Sequence, residues 1–385
     1  MPIEMTSVER VRTALNHQEP DRVPVALWGG PYGLVDPVYF SLLKALDIGD
    51  PVSPFRAGHT ISYIDDRVLD RLGTDTRYVW PGNSPSSPNR PSGQSNRFLD
   101  AFGQSWEFRD PYYFVAEPLL AGVEIDRIDA CIVWPEVEDP RWMVGVRERA
   151  QALKEGTDTF VIARMVTSYG PYMTSSHMRG VEQFFIDMGE NPDFVLALVE
   201  RVTEIQVAFL KSYLVAGGKY FDMVELPGDD YATSKGMAFS PRMFRKYFKP
   251  SLQRLVETVK NYRSDIKVMA HCDGALQPIL PDLIEIGVDV LHPLEPLPNL
   301  DQASIKAQYG GRMSFLGGID IVRALPSTRD AVVEEVKTRI RQLAVGGGYI
   351  LAPANHIQAD VPVENVRTLF EAAHRYGVYP IQISE

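Results

Sequence analysis

The chain has 385 residues, 45% apolar and 23% charged, the proportions of an ordinary globular protein able to bury a full core. A formal net charge of −11 argues against a nucleic-acid or anionic-membrane surface, which would need a basic patch. No stretch approaches the roughly 18 apolar residues of a membrane span, Met1 to Arg10 lacks the apolar run of a signal peptide, and Cys131 and Cys272 alone build no disulfide framework. One cytoplasmic domain spanning residues 1–385 is expected.

In chain order, Ser7 reads as the N-cap of an amphipathic helix with Val8, Val11 and Leu15 on one face. Pro20-Asp21 then turns the chain into a short apolar run, Val23–Leu27, which ends at Trp28-Gly29-Gly30-Pro31 as a buried strand would. The same kind of run recurs at Thr76–Val79, Phe160–Met165, Tyr220–Leu226, Ile266–Ala270, Val288–Leu291, Met313–Leu316 and Gly348–Leu351, making eight predicted strands. Helical patterns separate most of the later ones: Val181–Met188 with Phe194–Ala216, Pro241–Lys260, Leu276–Ile286 and Thr328–Ala344. Strand alternating with helix implies parallel β/α units, and eight of them imply a (β/α)8 TIM barrel preceded by an N-terminal helix. After the second strand the rhythm breaks. Pro81 to Asn96, rich in Pro, Ser, Gly and Asn, reads as a surface loop, and Phe98–Arg109 as a hairpin turning at Ala101–Gln104.

In such barrels the active site lies where strands run into the following helices. The residues at those ends are Trp28 and Tyr32 after the first strand, and Arg164, Tyr169 and Tyr172 after the third. The fourth is followed by Glu225, Asp229 and Asp230, the fifth by His271-Cys272-Asp273-Gly274, and the sixth by His292 and Glu295. Gly317-Gly318 and Asp320 follow the seventh; Asn355, His356 and Gln358 follow the eighth. His271 and Asp273, two apart at a strand end, face the same side and could serve as metal ligands or as an acid–base pair. Asp273-Gly274 also reads as a turn capping the next helix. Glu225, Asp229 and Asp230 could hold a cation or raise one another's pKa by repulsion; a solvated loop is the plainer alternative. Cys272 reads as a small buried hydrophobe, and His17, His59 and His374, without clustered partners, as structural.

Several segments together resemble the uroporphyrinogen decarboxylase superfamily. They are Ser7–Val11 with Glu19–Val25; Ser240-Pro241 with Phe244 and Lys249-Pro250; Pro281–Asp289; and Gly346–Pro353 through Ile357–Pro362 with Glu364–Val366. The resemblance implies the (β/α)8 barrel and often a homodimer. It also implies one of two chemistries. The cofactor-free decarboxylases carry an arginine-rich segment after the first strand, where this chain reads Leu27–Gly33 without arginine. The other branch, zinc-dependent methyltransferases working with a corrinoid protein, has His-x-Cys after the fifth strand and Cys after the eighth. Here His271 matches the histidine, Asp273 stands for the first thiolate, and Asn355-His356 stands near the second. The resemblance therefore implies a zinc site of His271, Asp273 and His356, with Glu225 or Asp229 as acid–base or fourth ligand. The expected reaction is methyl transfer from a small methylated (for example methoxy) substrate to a corrinoid protein. Arg164 and Asp230 are further catalytic candidates; Trp28, Tyr32, Tyr169, Tyr172, Asp320 and Gln358 are candidates for substrate contact. A metal-free decarboxylase or lyase, with Arg164 anchoring a carboxylate, and a corrinoid- or tetrapyrrole-binding protein are the alternatives.

Overall fold

A computed structural model describes all residues except 1–3, 31, 57–58, 83–95, 110–111, 165–166 and 384–385. Most of the expected loop Pro81–Asn96, together with Pro31 and Met165, lies outside the described residues. The strands are, in chain order, β1 (Thr76–Val79), β2 (Arg97–Leu99), β3 (Ser105–Arg109), β4 (Tyr112–Glu117), β5 (Phe160–Arg164), β6 (Met223–Glu225), β7 (Ala232–Thr233), β8 (Gly236–Met237), β9 (Lys267–His271), β10 (Val290–His292), β11 (Ser314–Ile319) and β12 (Tyr349–Pro353).

Seven of these form one curled sheet in the order β1-β5-β6-β9-β10-β11-β12, every pair parallel. Helices link the successive strands of this sheet from β5 to β12, and strands such as β1, β5, β11 and β12 are buried along their whole length, as in an α/β barrel. The expected first strand, Val23–Leu27, closes the circle without a regular ladder. Val25 bridges Leu351 of β12 in parallel, and the Val25 carbonyl accepts from the Asp75 amide just before β1, at 2.8 Å. Pro24 offers no N–H, so the segment pairs through isolated bonds.

At the bottom of the barrel, three aspartates repeat one device. Asp75, Asp222 and Asp289 each precede a strand, donate their amide to the carbonyl of Val25, Val161 or Val268 on the neighbouring segment, and accept that residue's amide on the carboxylate. Cations hold each carboxylate in turn: Arg10 and Arg22 on Asp75, Arg12 and Lys154 on Asp222, Lys260 on Asp289. The opening helix, Ser7–Leu15, supplies two of those arginines; its N-cap is Thr6, in a capping box with Glu9, one residue before the expected Ser7.

The expected hairpin forms as β2 and β3, and a third strand missed in the sequence, β4, pairs antiparallel with β3. Among the described residues no helix is long and apolar enough to cross a membrane.

Candidate active site

The ends of β5, β6, β9 and β12 open onto a cavity of about 390 Å³. Arg164, Tyr169, Glu225, Asp230, His271, Asp273, His356 and Gln358 all line it, so most of the residues singled out in the sequence converge. Its walls are aromatic, from Phe98, Trp106, Tyr112 and Tyr113 of the three-stranded sheet and from Phe55, Trp80 and Trp142.

His271 is oriented by a relay of imidazoles. The carbonyl of Pro353 can only accept, so His292 presents Nε2–H to it at 3.3 Å. Burial keeps His292 neutral by pushing its pKa well below the usual value, which leaves its Nδ1 bare to accept the Nδ1–H of His271 at 2.9 Å. With Nδ1–H so engaged, the tautomer of His271 that can bind a cation presents its lone pair on Nε2, 3.7 Å from Asp230 Oδ1 and 3.8 Å from Asp273 Oδ1. Three acceptors facing one point repel unless a proton or cation stands between them, and these three can reach one ion. The carboxylates are themselves positioned. The Asp273 amide donates to Asp230 at 2.8 Å, and Asn355 Nδ2 donates to Asp273 Oδ2 at 2.6 Å, leaving Oδ1 buried without a partner among the described residues. Burial pushes the Asp273 carboxyl up to about 7, with Asp230 and Glu295 adding to the effect and His271 opposing it. Asp230, not His356, completes the trio with His271 and Asp273. His356 instead meets His59 edge-on at 6.0 Å, both imidazoles held neutral by burial and by Arg56 nearby.

Glu225 sits on the backbone of Gly30, whose amide donates to its Oε1 at 2.6 Å. A Cβ at Gly30 would fall 1.9 Å from that oxygen, so only glycine admits this approach. The other oxygen, Oε2, is buried with no partner among the described residues. Burial raises the Glu225 carboxyl to about 7 against the pull of Arg164.

Other sequence candidates do not line the cavity. The Asp229 carboxylate is consumed by the amides of Tyr172 (3.1 Å) and Met173 (2.8 Å) and by the Tyr231 hydroxyl (2.9 Å), capping the helix Pro171–Arg179 from outside it. Tyr172 belongs to a buried aromatic cluster with Tyr231, Phe239 and Phe248. Tyr32 bonds Tyr78 and stacks on His292, beneath the site, while Trp28 packs edge-on against Tyr39. Asp320 is tied to Arg323. Asp273 caps no helix, and Cys272 is buried as expected.

The uroporphyrinogen decarboxylase (URO-D) family model matches residues 129–376, nearly two thirds of the chain. This chain belongs to that family. Among its relatives, a methylcobamide:CoM methyltransferase MtaA of Methanosarcina barkeri is 26% identical over 58% of this chain and 60% of that protein, so the chain spans less than two thirds of that relative's length. A uroporphyrinogen decarboxylase of Legionella pneumophila is 27% identical over 50% of this chain and 54% of that protein. A solved methyltransferase from Methanosarcina mazei, 20% identical, superposes with a TM-score of 0.66 over 97% of this chain and 99% of that one, which bears on the fold.

Two further cavity residues are not among the site candidates that the sequence offers. Arg56 follows a stretch without periodicity that gave no signal, and His59, read as structural, faces His356 across the site. His17, beside Lys306, and His374, bonded to the Leu72 carbonyl, do lie away from the cavity.

Proposed function

We propose that this protein, in the cytoplasm, transfers a methyl group from a small methylated substrate, such as a methyl ether, to a corrinoid carried by a partner protein. We assign its metal, zinc in the first instance, to Asp230, His271 and Asp273. The observation that carries the reading is the His271 Nε2 lone pair aimed between two carboxylate oxygens at 3.7 and 3.8 Å. One nitrogen and two oxygens give the three protein ligands of a catalytic zinc site, harder than a thiolate set and suited to an oxygen-bearing substrate. When bound, such a cation supplies Lewis acidity at the heteroatom that carries the methyl group. The MtaA relative, by name a methylcobamide:CoM methyltransferase, supports methyl transfer involving a corrinoid, although there the cobamide is the methyl donor.

The rest falls to the chain itself. His292 and Asn355 hold His271 and Asp273 in place. The aromatic walls exclude water from a cavity of a size suited to a small molecule. Glu225, with a pKa raised to about 7 and an uncommitted Oε2, holds a proton near neutrality. In the transfer the carbon–oxygen bond breaks with its electron pair staying on oxygen. The methyl carbon goes to the electron pair of the corrinoid nucleophile, and the Glu225 proton neutralises the departing oxygen.

The test is incubation of the purified chain with a methyl ether and reduced cobalamin, following methylcobalamin by its visible spectrum, beside metal analysis. We expect about one zinc per chain, and loss of both metal and turnover in His271→Ala and Asp273→Ala. Turnover without stoichiometric metal, or unchanged in His271→Ala, overturns the reading. Release of CO2 from an organic acid without added metal would favour the decarboxylase alternative.

A further inference from the structure

The cavity holds two guanidinium groups that none of this accounts for. Arg164, at the end of β5, is only 7% exposed, and its Nε has no hydrogen-bond partner among the described residues. Arg56 is half-buried; its Nε donates to the Ile61 carbonyl at 2.7 Å, while its buried Nη2 has no partner among the described residues. Both stand over one ring, that of Phe55, at 4.9 and 5.6 Å from its centroid. Neither forms an ion pair within 4.0 Å among the described residues, whereas the buried Arg10 and Arg179 elsewhere in the molecule are each ion-paired.

Two like charges in one low-dielectric pocket are costly unless an anion sits between them. Burial pushes both arginines' pKa values down, Arg164 adds to the effect on Arg56, and Glu225 opposes it at both. Glu225, beside Arg164 in the strand register, does not fill the role: its Oε1 is docked on Gly30 and it forms no ion pair within 4.0 Å with either arginine. A guanidinium fork matches a planar carboxylate. A phosphate dianion fits less well, since Glu225, Asp230 and Asp273 share the same cavity and would repel the second charge. The same cavity is lined by Phe55, Trp80, Phe98, Trp106 and Tyr169, aromatic surface against which another ring can pack.

We propose that Arg56 and Arg164 form a carboxylate-binding subsite, and that the substrate is an aromatic acid bearing a methyl ether. The identity of the transferred group rests on the methyl-transfer reading above; the carboxylate subsite does not. The aryl ether suits the chemistry, because a phenol has a pKa of ~10 and its oxygen leaves far more readily than an alkoxide. The bond broken is methyl carbon to aryl oxygen, the pair stays on oxygen, and the product is the corresponding phenolic acid once the oxygen takes up its proton.

The test is calorimetric titration of the full-length, zinc-loaded protein with 3-methoxybenzoate and, separately, 3-methoxybenzamide, which differ in charge and little in shape. The acid is expected to bind at least ~10-fold more tightly. Arg164→Gln and Arg56→Gln should each remove most of that preference while leaving amide binding in place, which also reports that the variants are folded. Equal binding of acid and amide by the unsubstituted protein, no binding of the acid, or a preference that survives both substitutions overturns the subsite. If the preference holds and depends on the arginines but no methylcobalamin forms, the subsite stands and the methyl-transfer reading falls. If neutral methyl ethers are demethylated without any preference for acids, the reverse follows.

Discussion

Glu225 shows how a single carboxyl is given a function by what surrounds it. Seated on the Gly30 amide and screened from water, it keeps its proton up to about 7 rather than its ordinary 4.5. A group that binds its proton more tightly when folded stabilises the fold below its unfolded pKa, and that contribution disappears as pH rises through the folded value. Stability should therefore fall by on the order of 3 kcal/mol between about pH 4.5 and pH 7 through this group, and stay level above. Glu225→Gln retains the acceptor for Gly30 and cannot ionise. Denaturant titrations across that range should show a shallower pH slope in the variant than in the parent. Asp229, raised to a similar value by burial, contributes to both and cancels in the comparison. Activity should follow the same sign: if Glu225 donates the proton, turnover declines as pH rises past about 7, and Glu225→Gln removes that limb along with most of the rate. An identical pH slope in both proteins would mean that Glu225 is already ionised in the fold.

At the scale of elements, the barrel is clasped at its base by the aspartates ahead of β1, β6 and β10. Asp75 carries the largest share. Its carboxylate is fully buried and accepts from Arg10 (2.7 Å), Arg22 (2.8 Å), Ser7 (2.8 Å) and the amide of Val25 (2.8 Å). It joins the N-terminal helix to the seam where Val23–Leu27 closes the sheet. Removing the charge leaves Arg10, itself buried, with only Asp21, so Asp75→Asn should cost about 3–5 kcal/mol in urea unfolding without altering the ligand preference of the folded fraction. A change under about 1 kcal/mol would mean that the clasp is incidental. The strand–helix alternation was legible because parallel strands buried on both faces read as plain apolar runs. What escaped has physical causes. Pro24 deprived the first segment of ladder bonds. The third hairpin strand, Tyr112–Glu117, is exposed or half-buried at every position and so carries no apolar periodicity. The site was legible as polar residues at strand ends, yet which of them meet depends on backbone paths. Asp229 turned away to cap a helix while its neighbour Asp230 turned inward to His271, and Arg56 arrives from a segment without any pattern.

At the scale of the whole molecule, the two ends of the barrel divide the labour of stability and binding, as the architecture leads one to expect. The base is rich in ion pairs, while the opposite mouth holds several buried polar atoms without partners among the described residues, on Arg56, Arg164, Glu225, Asp273 and His356, and is roofed by the three-stranded insertion. That roof is fastened in two ways. Trp106 of β3 stacks on Tyr169 of the barrel at 5.5 Å, ring planes 16° apart, and anchors its Nε1 to Asp100 at 2.9 Å. Tyr112 of β4 donates to Gln358 in the last barrel loop at 2.6 Å, a bond near solvent. A surface hydrogen bond contributes about 1 kcal/mol, whereas deletion of a buried indole removes several. Tyr112→Phe should therefore weaken binding of an aromatic acid by no more than about 5-fold. Trp106→Ala opens the wall itself and should weaken it by at least about 30-fold. In Tyr112→Phe the thermal unfolding should stay near that of the parent; in Trp106→Ala the insertion should loosen at lower temperature while the barrel keeps its own transition, because the roof contributes no strand to the parallel sheet. Equal and small losses in the two variants would show that ligands enter and bind without touching the insertion; a collapse of thermal stability in Trp106→Ala would show that the roof and the barrel unfold as one unit.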